Sequence, residues 1–402
     1  MSPGRGATGD IPFPGALSVG PPAPATGVGE DAIAERPVPF PVVAVPSPPL
    51  VYAHAGVLMD TATGTVLYQQ RAFERVAPAS TTKIITAVLA LERGRLDELV
   101  TVSRRAAYVG GSSMYLQPGQ QYTLEELLLG MMLQSGNDAA TAIAEHIGGS
   151  VDAFVALMNR KAVEVGAVNT HFANPHGLDN ERHYSTAYDL AVITRYAMRN
   201  PKFAEIVALR EQKVAPEGAG EEQTLRNINR LLWYYQFADG VKTGLTDAAG
   251  RCVVASATRD SQPLIAVVMR SGDLWNDAIR LLDWGYQNFR LERLLEAGER
   301  VATTGVRGGR RSRVTLMTGE PLAVVVPRDL AGSVQVRTEV FGPLKAPLYL
   351  HQPVGAAYAE AGGSVLGQAP LVTTRGVGRL TPITILWDVV TLPYRLVFGE
   401  ED

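Results

Sequence analysis

The stretch "PASTTKIITAVLALERG", residues 78–94, sets Ser80 three residues ahead of Lys83 and follows both with apolar residues at helical spacing. A buried helix beginning near Ser80 is expected. Positions 80 and 83 then lie on one face, about 4.5 Å apart along an axis rising ~1.5 Å per residue. An amine accepts a proton only when neutral, and free lysine titrates near ~10.4. The positive end of a helix and a desolvated cleft both push that value down. The Ser80 N–H would point out of the same helix start, free to receive a negatively charged oxygen. A serine N-cap followed by a solvated surface lysine has the same spacing, so the pair alone leaves both readings open.

Outward from this stretch, the pattern is strand, then helices, then strands. "AGVLMD" and "TVLYQQ" flank Thr61-Ala62-Thr63-Gly64 and predict a β-hairpin, with Gly64 suited to positive φ. Thr123 and Glu126 form a capping box before "LLLGMML". "DAATAIAEHIGG" reads as a helix closed by glycine, and "VDAFVALMNRKAVEVG" and "TAYDLAVITRYAMRN" as two more. "FADGVKTG", "RCVVASATR" and "PLIAVVMR" read as antiparallel strands, since their connections are too short for crossover helices. A helix at "LWNDAIRLLDWGYQNF" closes the unit. A sheet assembled from both ends of one unit means an α+β fold. From about 296 to 374, short β-like runs between Gly and Pro turns predict a small all-β domain.

The ends of the chain differ from both units. Residues 1–49 are crowded with Pro and Gly and read as a disordered leader. Arg5 is the only basic residue in the first thirty and no uninterrupted apolar run follows it, so the segment does not read as a signal peptide. Residues 375–402 read as a linker and an apolar segment. Between Pro382 and Gly399 that segment is broken by Pro393 and carries Asp388 and Arg395, and a bilayer span wants roughly 20 apolar residues. An interfacial membrane contact or a helix packed on its own domain fits better.

Composition removes several functions. The formal net charge of −3 gives no reason to expect nucleic acid. The single cysteine, Cys252, excludes an intrachain disulfide and a multi-cysteine metal site, and it reads as a small core residue in a strand. No helical His pair, phosphate loop or dinucleotide fingerprint is present, so neither metal nor cofactor is expected.

Two further stretches bear on Ser80. "QSGNDAA" places Ser135 and Asn137 between two apolar helices, where an ordinary interhelical turn would also put polar residues. "DGVKTGLTD" places Lys242, Thr243 and Gly244 on a strand. The cation and hydroxyl suit a substrate carboxylate, and Gly244 would let substrate approach the backbone. An edge-strand lysine resisting aggregation, followed by a turn glycine, is the alternative.

Together S-x-x-K, S-x-N and K-T-G, in that order, resemble the penicilloyl-serine transferases, a motif set tabulated for β-lactamases and penicillin-binding proteins. Through "VLMDTATGTVLYQQRAFERVAPASTTKIITAVLALE", "TLEELLLGMMLQSGNDAATAIAEHIGGS", "THFANPHGLDNERHYSTAYDLAVI" and "DGVKTGLTDAAGRCVVASATRDSQPLIAVV", the sequence is similar to the D-alanyl-D-alanine carboxypeptidases, the low-molecular-mass penicillin-binding proteins. The similarity covers roughly 52–290 in detail and 296–374 by architecture alone. It implies a transpeptidase-like domain over 50–295 and a β-rich domain over 296–374. It also implies that Ser80 is the acyl-forming nucleophile, Lys83 its base, Ser135 a proton relay and Asn137 a substrate contact. Lys242 and Thr243 would bind the terminal carboxylate, and the N–H groups of Ser80 and Leu245 would form the oxyanion hole. The implied substrate is the peptidoglycan stem peptide, with β-lactams as covalent inhibitors. The implied site of action is the outer face of the bacterial cytoplasmic membrane.

Some residues and rival readings stay open. His176 lines the cleft mouth or sits in a loop; His183 and Tyr184 lean structural, and Asp138 and Glu145 read as helix charges. A class A β-lactamase would need a Glu to activate water. Glu181 is the available one, in the wrong context, and S-G-N stands where that family has S-D-N. A sensor that binds peptidoglycan without turnover would keep the same motifs.

Overall fold

The computed structural model describes residues 47–218 and 221–382. The expected leader lies outside the described residues up to position 46, and the apolar C-terminal run does so from position 383.

The predicted hairpin is present as β1 (Ala53–Asp60) and β2 (Val66–Gln70), turned at Gly64 with φ 78°. Asp60 closes that turn by accepting the Thr63 N–H at 2.8 Å. The later strands β3 (Ala238–Thr246), β4 (Gly250–Arg259) and β5 (Gln262–Ser271) run antiparallel, and β1 pairs with β5. The resulting order is β2-β1-β5-β4-β3, which leaves β3 on an edge. Near-continuous apolar runs in β4 and β5 follow from burial on both faces.

One face carries α1 (Lys83–Arg93), α2 (Leu124–Leu133), α3 (Asn137–Gly148), α4 (Val151–Glu164), α5 (Ala187–Ala197) and α6 (Pro201–Ala208). The other face carries α7 (Leu274–Asn288). The Thr123–Glu126 capping box forms with both reciprocal bonds, and α3 ends at Gly149 with φ 70°. β4 shows the layering residue by residue. Val254 belongs to the same core as Ile84, Leu128 and Phe154, while Val253 belongs to the one that holds Leu58, Leu281 and Trp284.

Two features go beyond the sequence reading. Helix α6 uses the Asn200 cap with Pro201 in its first turn, and a small hairpin joins Glu211–Val214 to Gln223–Arg226. The helix expected from Ser80 also starts later. A 3-10 turn over Ala79–Thr82 comes first, because Ala79 sits at φ 49° and cannot continue an α-helix backwards.

The C-terminal part is all β, with a core of its own containing Val314, Leu316, Val326, Ala357 and Leu371. β6 (Phe289–Leu295) pairs with β9 (Leu322–Pro327). The remaining strands are β7 (Arg300–Arg307), β8 (Arg313–Thr318), β10 (Gln335–Val340), β11 (Leu344–Lys345), β12 (Pro353–Ala361) and β13 (Ser364–Thr373). They form one six-stranded sheet in the order β10-β12-β13-β8-β7-β11. Phe289 and Val325 belong to the α7 core, so the β part shares a packed layer with the α+β part.

Candidate active site

Ser80 sits in a tight turn held by two glycines from distant segments. A Cβ on Gly177, itself at φ 92°, would overlap the Ala79 carbonyl oxygen. One on Gly244 would lie 3.0 Å from the Ser80 nitrogen. The missing side chain at Gly244 thus lets strand β3 lie against the Ser80 turn, a reason for glycine there beside the substrate approach expected from sequence.

Lys83 is fully buried, with Nζ 2.9 Å from Ser80 Oγ, 2.7 Å from Asn137 Oδ1 and 2.7 Å from the His176 carbonyl oxygen. Burial first, then the Lys242 charge, holds its pKa well below the ordinary lysine value, against a weaker pull from Asp138. A neutral amine has two N–H donors and one lone pair. The two carbonyl oxygens take the donors, which leaves the lone pair for the Ser80 hydroxyl proton.

Ser135 occupies the α2–α3 turn at φ 65° and is 2% exposed. Asn137 opens α3; its side chain donates to the Gly110 carbonyl at 2.8 Å, and its backbone N–H to that of Ser112 at 2.7 Å. Asp138 is the helix charge expected from sequence, in the first turn of α3, but it does not face solvent. It is buried and accepts the backbone N–H groups of Met114 and Leu116 and the Ser113 hydroxyl, so it fixes the loop beside the cleft.

Strand alternation separates the K-T-G side chains. Lys242 lies opposite Val254 on the helical face, while Thr243 and Leu245 lie opposite Val253 and Arg251 on the α7 side. Lys242 is 1% exposed, and burial lowers its pKa to about 7. Its Nζ donates to the Thr243 carbonyl at 3.2 Å.

A cleft of about 430 Å³ is lined by Ser80, Ser135, Thr243, Gly244 and Leu245, so residues from all three motifs meet in one groove. Lys83, Asn137 and Lys242 are buried behind its surface. Arg230, Arg251 and Trp275 also line it and were missed from sequence. Arg251 was within reach of sequence reasoning, since the hairpin register places it opposite Leu245. Arg230 and Trp275 carried no local signal.

The histidines hold the surrounding loop. His176 Nδ1 accepts the Leu178 N–H at 3.2 Å, and burial lowers its pKa to about 3. His183 Nδ1 accepts the Ala173 N–H at 3.0 Å, which leaves Nε2–H to donate to Thr82 Oγ1 at 2.8 Å; burial lowers it to about 4. Glu181 is exposed. Cys252 is buried in the core, its thiol pushed up to about 11. Among the described residues no cluster of His, Cys, Asp and Glu could hold a metal ion, and no helix is long and apolar enough to cross a membrane.

Fold and groove together define a serine acyl-transfer enzyme. The chain belongs to the D-alanyl-D-alanine carboxypeptidase family: that family matches residues 42–272, and the C-terminal domain of penicillin-binding protein 5 matches residues 289–379. It is 34% identical over 343 residues to the Bacillus subtilis D-alanyl-D-alanine carboxypeptidase DacF, covering 83% of this chain and 88% of that one. Against DacA of Escherichia coli it is 34% identical over 376 residues, covering 88% and 91%. The solved penicillin binding protein 5 of Haemophilus influenzae superposes with a TM-score of 0.75 at 32% identity, covering 83% of this chain and 99% of that one.

Proposed function

We propose that the chain removes the terminal D-alanine from peptidoglycan stem pentapeptides through an acyl-enzyme on Ser80. Neutral Lys83 takes the Ser80 proton as Oγ attacks the carbonyl of the penultimate D-alanine. The N–H groups of Ser80 and Leu245 receive the developing oxyanion, each contributing on the order of 3 kcal/mol. Ser135 passes a proton to the departing amine and free D-alanine leaves. Water then attacks the ester and returns the Ser80 hydroxyl. Asn137 holds Lys83 in place from inside; a substrate amide contact would require its side chain to turn. Thr243 and the Lys242 cation behind it receive the terminal carboxylate at the strand edge. β-Lactams acylate the same hydroxyl. This chemistry belongs outside the cytoplasmic membrane, with the apolar run at 382–398 as a membrane contact.

One observation carries the reading: a fully buried lysine whose Nζ lies 2.9 Å from Ser80 Oγ and 2.7 Å from both Asn137 Oδ1 and the His176 carbonyl oxygen. Mass spectrometry after benzylpenicillin should place the adduct on the peptide holding Ser80. D-Alanine should be released from diacetyl-Lys-D-Ala-D-Ala and lost in Ser80→Ala. An adduct elsewhere refutes the nucleophile. Sustained fast cephalosporin hydrolysis would mean a β-lactamase, and acylation without D-alanine release a sensor.

A further inference from the structure

The loops at one end of the six-stranded sheet are tied together by backbone hydrogen bonds. Leu380 N–H donates to the Gly308 carbonyl at 2.8 Å, Arg310 N–H to Gly378 at 2.9 Å and Ala346 N–H to Arg307 at 3.0 Å. Leu348 pairs with Val377, and the Phe341 N–H donates to Val354 at 2.9 Å. These segments therefore share one surface although they come from four turns.

That surface has an unusual composition. The loops themselves, 307–313, 341–352 and 374–382, contain six arginines, one lysine and no Asp or Glu; the nearest strand carboxylate, Glu339, is paired with Arg337 at 2.8 Å. Arg307, Arg311, Lys345 and Arg379 are exposed. Large apolar side chains stand in water among them: Phe341 is 62% exposed, Tyr349 70% and Leu350 58%. Single exposed apolar side chains need no explanation, but three on the turns of one sheet end, flanked by cations, mark an interaction surface.

We infer that this end of the β domain is a docking surface for an anionic lipid bilayer. Cations attract the headgroups from a distance, and Phe341, Tyr349 and Leu350 enter the interfacial layer, where amphipathic aromatic rings settle best. A soluble acidic polymer would engage the arginines but give these three side chains no burial. Leu380 and Pro382 deliver the chain at this same end into the apolar run at 383–398. The folded surface and the run then act as two membrane signals, where one alone holds weakly. The inference rests on the envelope placement proposed above only for its setting, because vesicle binding is measured apart from turnover.

The test is sedimentation of the full chain with vesicles of equimolar phosphatidylglycerol and phosphatidylcholine, and with pure phosphatidylcholine. The charge-reversed variant Arg307→Glu/Arg311→Glu/Arg379→Glu should lose binding to the anionic vesicles by more than roughly tenfold. It should bind neutral vesicles no less than the parent. Phe341→Ser/Tyr349→Ser/Leu350→Ser should lose binding to both. Unchanged D-alanine release from a soluble peptide certifies that each variant is folded, and either variant suffices if the other is not. Parent and variants binding anionic vesicles equally would overturn the surface and leave the terminal run as the sole contact. Retention on isolated wall sacculi without vesicle binding would also overturn it, in favour of a wall polymer.

Discussion

At the scale of single residues, two buried lysines carry the proposed chemistry. Lys83→Arg keeps size and hydrogen-bonding capacity, but guanidinium stays charged and cannot accept the serine proton. Acylation by a fluorescent penicillin should fall about a thousandfold, in the range of losing a general base and more; near-normal labelling at neutral pH would remove Lys83 from that role. Lys242 makes a prediction with a sign. Its pKa is about 7 in the fold against ~10.4 when unfolded, so the unfolded chain binds more protons between those values and stability rises with pH across that window. Below about pH 7 the full penalty of burying the cation is present. Lys242→Met should therefore melt several °C higher than the parent at pH 6, with the gap closing toward pH 10. The same variant should lose turnover of carboxylate-terminated peptides more than acylation by uncharged esters; equal losses would deny the carboxylate role. That Ser80, Lys83, Ser135 and Asn137 would come together was legible because the residues of each motif lie close in sequence. The inward aim of Lys242 needed the strand's alternation in three dimensions, and the burial of Asp138 needed a loop from elsewhere.

At the scale of elements, caps and turns were readable and close approaches were not. Thr123 with Glu126, Gly149 and Gly64 carry local signatures that the structure reproduces. Nothing around residue 79 announces a left-handed alanine, because Gly177 and Gly244, far along the chain, make room for it. The Ser80 turn is thus made by three segments. Gly177→Ala should destabilise by about 3 kcal/mol or more, since a Cβ would meet backbone rather than a movable side chain, in a conformation already unfavourable for alanine. Acylation should slow even where the variant remains folded. A melting curve and labelling rate matching the parent would show that the turn relaxes freely.

At the scale of the whole molecule, the β part is joined to the catalytic part through Phe289 and Val325 in the α7 core and through the Arg328 guanidinium, which donates to the Tyr286 carbonyl at 2.9 Å. Phe289→Ala should cost about 3–5 kcal/mol and lower the melting of both parts together; a shift in only one calorimetric transition would show that the layer is not shared. The pairing of β1 with β5 has a consequence for synthesis. Ala53 meets Ser271 only after the entire helical insert has emerged, so β1, closed on one side by β2, must wait with its other edge unpaired while everything between is made. The Ser80–Lys83 spacing is local, but the glycines that pack against the Ser80 turn, Gly177 and Gly244, emerge much later, so the groove stays open until β3 has been made.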